Sequence, residues 1–197
     1  STTYLQELAA SEFSAPTFLW RNLADSATLS MVKSLSLPGR EHETLSVVIA
    51  YASGSRAHDE DFNVVAEALS VVMGRNEHVS LRVLGHVVIP PVLMRYRERI
   101  EAHPFSGYLQ YLQELGAVDL NIVPLTSGRF NECKSAIRYL EAALCSVPTI
   151  ASAVGQFSEI ISDEDDGCLA RSTEDWIVKA TDAVDQETVA QFRIACE

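Results

Sequence analysis

Four short apolar runs, rich in β-branched residues, are the feature that most constrains the fold of this 197-residue chain. They cover residues 45–50, 79–84, 118–125 and 147–151. The runs are mostly continuous rather than alternating, which is typical of strands buried on both faces of a parallel sheet. Their even spacing leaves room for a helix between successive strands.

Helical periodicity fills two of the gaps between these runs. Apolar side chains recur at steps of three and four over residues 61–73, and Asp59 or Asp61 can cap that helix. A second helix is predicted over residues 134–146. Its predicted packed stripe consists of Ile137, Leu140 and Leu144. Alternating strands and helices predict an α/β fold, a Rossmann-like parallel sheet with helices on both faces.

The two ends of the chain differ from the middle. Residues 4–8 have helical spacing, a second helix is expected from Pro16 with Ser14 as its cap, and residues 29–37 suggest a further strand. The polar stretch 39–43 is a candidate boundary. Residues 173–196 predict two helices, the first beginning at residue 172 or 173.

Composition excludes several classes of protein. The chain has 15 Lys+Arg against 27 Asp+Glu, a net charge of −12, so nucleic acid is not an expected partner. No apolar run approaches the ~20 residues of a transmembrane helix. The four cysteines stand singly, without metal-ligand spacing, which indicates reduced thiols in a cytosolic protein. The triplet Arg95, Arg97 and Arg99 suggests an exposed helix face.

Two loops at strand ends carry the residues best suited to chemistry. The first contains Gly54, Ser55 and His58 just before a helix. A glycine and a helix N-terminus would allow a phosphate to approach, whereas a tight turn would need the glycine only for its dihedral angles. The sequence contains neither a dinucleotide-binding fingerprint nor a P-loop.

The second loop leads into the helix predicted over 134–146. A helical projection places Lys134 and Glu141 on one flank of the packed stripe, about 10 Å apart along the axis. A bound anion would explain a lysine in the first turn, and Glu141 could accept hydrogen bonds from ribose hydroxyls. Alternatively, Glu141 pairs with Arg138 at the surface.

The same region resembles a known family. Residues 130–143 (FNECKSAIRYLEAA), followed by 147–152 (VPTIAS), resemble the donor-binding motif of group 1 (retaining, GT-B fold) glycosyltransferases, and particularly bacterial enzymes that build surface polysaccharides. The resemblance extends over about residues 45–180. Further matching pieces are residues 51–55 with His58, Asp61 and Phe62, residues 115–125, and residues 166–169 with Trp176.

The resemblance implies a nucleotide-sugar donor in the C-terminal lobe of a GT-B fold. Glu141 would bind the ribose and Lys134 with Ser135 the diphosphate. The phosphate and sugar end would be lined by Gly54, Ser55 and His58. The transfer would retain configuration without a metal or other cofactor, and Lys134, the helix N-terminus and Arg56 or Arg129 would stabilise the leaving diphosphate.

One departure affects the catalytic assignment. The family's usual Glu-x7-Glu pair would place its first glutamate at Cys133, one residue out of frame from Glu132. Either the preceding loop presents Glu132 or Asn131 to the donor sugar, or this chain dispenses with that carboxylate. No catalytic residue is assigned, and the candidates are Glu132 and Lys134. The nucleotide site does not depend on that carboxylate.

The expected organisation follows from the resemblance. Residues 1–40 would be the tail of a preceding acceptor lobe or linker helices, and 41–197 the nucleotide-sugar-binding domain. The predicted reaction moves a hexose to a glycan or lipid-linked glycan held mainly by a missing N-terminal lobe. The location would be cytoplasmic, or peripheral at the inner membrane through a parent protein. The alternatives are a catalytically silent interaction domain and a sugar-nucleotide epimerase.

Overall fold

A computed structural model describes residues 2–35, 46–54, 59–185 and 188. Within them, six strands form one sheet. The strands are β1 (Val47–Ser53), β2 (Val79–Gly85), β3 (Ile100–His103), β4 (Leu120–Val123), β5 (Thr149–Ser152) and β6 (Cys168–Ala170). The helices are α1 (Thr3–Glu12), α2 (Ser26–Ser34), α3 (Asp59–Arg75), α4 (Tyr108–Gly116), α5 (Arg129–Glu132), α6 (Ile137–Leu144), α7 (Gln156–Ile160) and α8 (Thr173–Ala183). A 3₁₀ segment, Pro91–Arg99, precedes β3.

All strand pairs are parallel, in the order β3-β2-β1-β4-β5-β6. This confirms the predicted α/β, Rossmann-like sheet. From β1 the chain adds β2 and then β3 toward one edge of the sheet. It then returns to the centre, where β4 pairs with β1, and adds β5 and β6 toward the other edge. The strand order therefore reverses between β1 and β4. In such sheets a crevice opens beyond the carboxyl ends of the two central strands, and ligands bind there.

Side chains of β1 alternate between the two faces of the sheet. Ile49 and Tyr51 pack on the face covered by α3 and α8, where Trp176 is also buried. Ala50 packs on the opposite face, against α4 and α6, and the buried Val32 of α2 joins that cluster. Helices therefore cover both faces, as the continuous apolar runs predicted.

The helix predicted over residues 134–146 is shorter than expected and packs differently. It begins at Ile137, so Lys134 precedes the helix instead of lying in its first turn. The prediction that Ile137 belongs to the packed stripe is wrong, because its side chain is 39% exposed. Ala142 and, directly after the helix, Cys145 are buried instead, in a cluster shared with α4 and Ala50 of β1.

The ends confirm some predictions and correct others. Helix α1 and the start of α8 are confirmed, with Ser172 as the N-cap of α8. No helix begins at Pro16, and the strand suggested over 29–37 is wrong, because residues 26–34 form α2. The candidate boundary at 39–43 and most of the second C-terminal helix lie outside the described residues. The division at residue 40 therefore stays a prediction.

The arginines near residue 97 do not form one exposed face. Arg97 is 74% exposed on its side chain. The Arg99 guanidinium, by contrast, donates four hydrogen bonds of 2.7–3.2 Å to the backbone carbonyls of Met73, Asn76, Glu77 and Val79. These carbonyls lie at the end of α3 and the start of β2, so Arg99 holds the α3–β2 connection in place.

Arg99→Ala is expected to lower the free energy of unfolding by about 2 kcal/mol, because four carbonyls lose a charged donor. Chemical denaturation monitored by circular dichroism measures the loss. Arg97→Ala is the matched control and is expected to change stability by less than about 0.5 kcal/mol. Equal stabilities for the two variants would contradict the structural role of Arg99.

Candidate functional site

Two cavities lie side by side at the carboxyl ends of the central strands. The first has a volume of about 280 Å³ and is lined by Gly54, Phe105, Tyr111 and Glu141, among others. The second has a volume of about 300 Å³, and Asp61, Lys134 and Ser135 line it. Ile137 and Arg138 line both cavities, so the start of α6 forms the shared wall.

Lys134 lines the second cavity and is held by a carboxylate. Its Nζ lies 3.0 Å from Oδ2 of Asp61, and the two side chains are 19% and 5% exposed. The ammonium also lies 5.0 Å from the centre of the Phe130 ring. The cation is thus fixed at the cavity rather than extended into water.

Asp61 was expected to cap α3, but it lies within that helix and its side chain points toward the β4–α6 connection. Its Oδ1 accepts hydrogen bonds from the backbone N–H and hydroxyl of Thr126 and from Nδ2 of Asn131, at 2.8–2.9 Å. Asp61 therefore joins the first turn of α3 to the segment that follows β4. Sequence reasoning missed this role because a pattern of apolar spacing does not show the partner of a buried carboxylate.

Glu141 lines the first cavity, one helical turn beyond Ile137. Its Oε2 accepts a hydrogen bond of 3.0 Å from the Tyr111 hydroxyl instead of pairing with Arg138. Burial raises the pKa of Glu141 above the ordinary carboxyl value, although the Tyr111 hydrogen bond opposes the shift. Burial and the neighbouring Glu141 raise the pKa of Tyr111 as well, so the phenol stays protonated and donates.

Lys134 and Glu141 were expected on one helical edge facing a single crevice. They instead lie on a turn and on a helix, and each faces one of the two adjoining cavities. Ser135 lines the second cavity beside Lys134. The positions of Ser55, Arg56 and His58 lie outside the described residues.

Other predicted residues have structural roles or positions that sequence spacing did not show. Oε2 of Glu132 accepts a hydrogen bond of 2.9 Å from the backbone N–H of Gly155. Gly155 has a φ of +56°, and a Cβ there would lie 3.0 Å from the Glu132 carbonyl oxygen. Glu132 therefore fixes the β5–α7 loop. Arg129 is exposed on α5.

The start of α6 is positioned by a residue that the sequence did not single out. Gln156, 4% exposed, accepts a hydrogen bond of 2.8 Å at its Oε1 from the backbone N–H of Ala136. On the other side of the site, Gly85 has a φ of +94°, and a Cβ would lie 2.2 Å from the Ser53 carbonyl oxygen. Glycine is therefore required at this edge of the first cavity.

Within the described ranges, no group of three or more His, Cys, Asp or Glu side chains could hold a metal ion. Among the same residues, no helix has the length and apolar character needed to cross a membrane.

Comparison with known families identifies the family of this chain. The profile described as "Glycosyl transferases group 1" matches residues 46–186, which include both central strands and both cavities. The chain belongs to this family. No curated protein shows significant sequence similarity to it.

Solved structures share the fold of this group 1 glycosyltransferase chain at low sequence identity. The pneumococcal O-GlcNAc transferase GtfA, in complex with UDP and GlcNAc, is 14% identical, with a TM-score of 0.68 over 98% of this chain and 38% of its own. A mutant of S. aureus TarM, in complex with UDP, Fondaparinux and alpha-GlcNAc-glycerol, is 13% identical, with a TM-score of 0.63 over 99% of this chain and 38% of its own.

A third similar structure is WaaG, a glycosyltransferase involved in lipopolysaccharide biosynthesis. It is 16% identical, with a TM-score of 0.58 over 88% of this chain and 45% of its own. The chain thus spans about two fifths of the length of these structures. All three support the GT-B-type lobe that the sequence predicted.

Glu141→Gln is expected to leave the melting temperature at pH 7 unchanged or higher. A carboxyl whose pKa is raised on folding contributes stability below its unfolded pKa, and that contribution is lost as the pH rises through the folded pKa. Removing the charge therefore relieves a cost at neutral pH, and the amide oxygen still accepts from Tyr111. Thermal melts from pH 4 to 7 measure this, and a gain that grows toward pH 4 would contradict it.

Proposed function

We propose that this chain is the donor-binding lobe of a glycosyltransferase that uses a nucleoside-diphosphate sugar. The proposal rests on one observation. A chain of the group 1 family has a carboxylate–phenol pair and a fixed lysine in two cavities that share a wall at its topological switch point. A nucleoside in the first cavity and a diphosphate in the second would span that wall.

The first cavity suits a ribose and a base. Glu141 would accept hydrogen bonds from two ribose hydroxyls, because a carboxylate offers several lone pairs and Tyr111 occupies one of them. Phe105 and Tyr108 add aromatic surface for a planar base. UDP is the first ligand to test, since it is the nucleotide named in the complexes of GtfA and TarM.

The second cavity suits the diphosphate. Lys134 would share its ammonium between Asp61 and a phosphate oxygen, and three other donors would keep Asp61 satisfied. Charge developing on the leaving diphosphate would then meet a desolvated cation, as in other phosphate-stabilising sites. On this basis we extend the proposal to transfer without a metal, and retention of configuration is proposed from the family resemblance alone.

The wider reaction is also part of the proposal. A hexose would pass to a glycan or lipid-linked glycan in surface polysaccharide synthesis, which agrees with the involvement of WaaG in lipopolysaccharide biosynthesis. The acceptor would be bound mainly by a second lobe, because the similar structures are more than twice as long as this chain. Residues 1–40 would then connect to that lobe.

One observation favours the alternative of a catalytically silent domain. Glu132, the carboxylate nearest to the family's usual catalytic position, is engaged with Gly155. A silent domain of this fold would retain the sheet and lose nucleotide affinity. A thermal-shift panel of UDP, GDP, dTDP and CMP distinguishes the two functions, since only a ligand of the folded state raises the melting temperature.

UDP is expected to raise the melting temperature. Uridine, which lacks the diphosphate, serves as a second ligand that tests the first cavity separately from the second. Glu141→Gln is expected to weaken both UDP and uridine, because both carry the ribose. Measurement is by isothermal titration calorimetry. Arg97→Ala removes an exposed charge that lines neither cavity, and it serves as the control. No shift with any of the four nucleotides would favour the silent domain.

The role of Lys134 is best tested with a variant in which both members of its ion pair are replaced. Lys134→Met alone would remove the ammonium that faces the buried Asp61 carboxylate, which costs about 3 kcal/mol of stability. The double variant Asp61→Asn with Lys134→Met removes both charges and recovers part of that loss. It is expected to bind UDP at least about tenfold more weakly and uridine as wild type does. Unchanged UDP affinity in the double variant would remove Lys134 from the proposed site.

A further inference from the structure

The N-terminal segment, defined here as residues 2–25, reaches the second cavity. Nδ2 of Asn22 donates a hydrogen bond of 2.9 Å to Oγ of Ser135, a residue 113 positions away that lines this cavity beside Lys134. Asn22 itself is exposed. The contact therefore lies at the open mouth of the cavity.

Contacts made by residues before and after Asn22 in the sequence hold it in place. Arg21 forms an ion pair of 2.9 Å with Glu159, and the Thr3 hydroxyl donates to the same carboxylate oxygen. The buried Thr2 caps α1 and donates to the Glu132 carbonyl oxygen at 3.4 Å. After Asn22, α2 is fixed by the buried Val32. The segment is thus attached to α7 and α5, the helices that contribute Phe157 and Phe130 to the second cavity.

The direction of the Asn22 hydrogen bond determines what the Ser135 hydroxyl can do. An amide N–H can only donate, so Ser135 Oγ must accept. Within the described ranges this hydroxyl donates to no protein group. Its own hydrogen is therefore available to an acceptor in the cavity, next to the Lys134 ammonium.

We infer that Asn22 is a positioning residue of the donor site, which orients the Ser135 hydroxyl to donate to a phosphate oxygen. The N-terminal segment then completes the anion-binding half of the site. This inference rests on the proposed function, because it assumes a diphosphate in the second cavity. It goes beyond that function by assigning part of the site to a segment that lies before the residues matched by the family profile.

Two substitutions of Asn22 provide a graded test. Asn22→Ala removes the oriented donor, and UDP affinity is expected to fall roughly two- to tenfold, the range for one hydrogen bond. Asn22→Asp reverses the bond, because a carboxylate can only accept and would draw the Ser135 hydrogen away from the phosphate. Its added negative charge also opposes the diphosphate, so its loss is expected to be larger.

The experiment is calorimetric titration of the full chain with UDP and with uridine. Asn22→Ala is compared with wild type, Ser135→Ala and the double variant. Asn63→Ala, an exposed asparagine of α3, is the matched control. The expected result is weaker UDP binding, unchanged uridine binding, and no further loss when Asn22→Ala is added to Ser135→Ala. A general structural role would weaken both ligands.

Three results would overturn the inference: unchanged UDP affinity in Asn22→Ala, equal weakening of UDP and uridine, or additive losses with Ser135→Ala. If wild type binds UDP and one of these results is found, the inference fails while the proposed function stands. If wild type binds none of UDP, GDP, dTDP and CMP, both are overturned, and if it prefers another of these nucleotides, the same variants are titrated with that nucleotide and its nucleoside. The wild-type titration therefore separates the two failures.

Discussion

The buried ion pair between Asp61 and Lys134 holds the site together. It joins α3, which follows the first central strand, to the turn before α6, which follows the second. With Asp61 only 5% exposed on its side chain, removing either partner would leave a charge in a poorly solvated place. The start of α3 and the turn before α6 are therefore held together, and both contribute to the wall of the second cavity.

The same pair gives the lysine its chemical character. A free surface ammonium would be hydrated and mobile, whereas Lys134 is held between a carboxylate and the Phe130 ring. Asp61 keeps three further donors on its other oxygen, so an incoming anion can share the lysine without leaving the carboxylate unsatisfied. A preorganised cation of this kind needs little rearrangement when charge develops nearby.

The packing of α6 explains why the two halves of the site adjoin. Small residues, Ala142 and Cys145, face the sheet, and Ile137 is turned outward into the wall between the cavities. A bulkier buried stripe, as predicted from Ile137 and Leu144, would hold the helix farther from the sheet. Glu141 of α6 lies against Tyr111 of α4, where burial raises the pKa of the carboxyl.

The sequence by itself determined the class of fold and the place of the site. Continuous β-branched runs separated by helical periodicity require a parallel sheet, and the loops after its central strands must meet at one edge. The short strands β3 and β6, of four and three residues, carry too little pattern to be predicted. Only the tertiary structure decided which partners the site residues have. Periodicity constrains the face on which a residue lies, but contacts such as Lys134 with Asp61 and Asn22 with Ser135 join residues 73 and 113 positions apart, where local spacing carries no information.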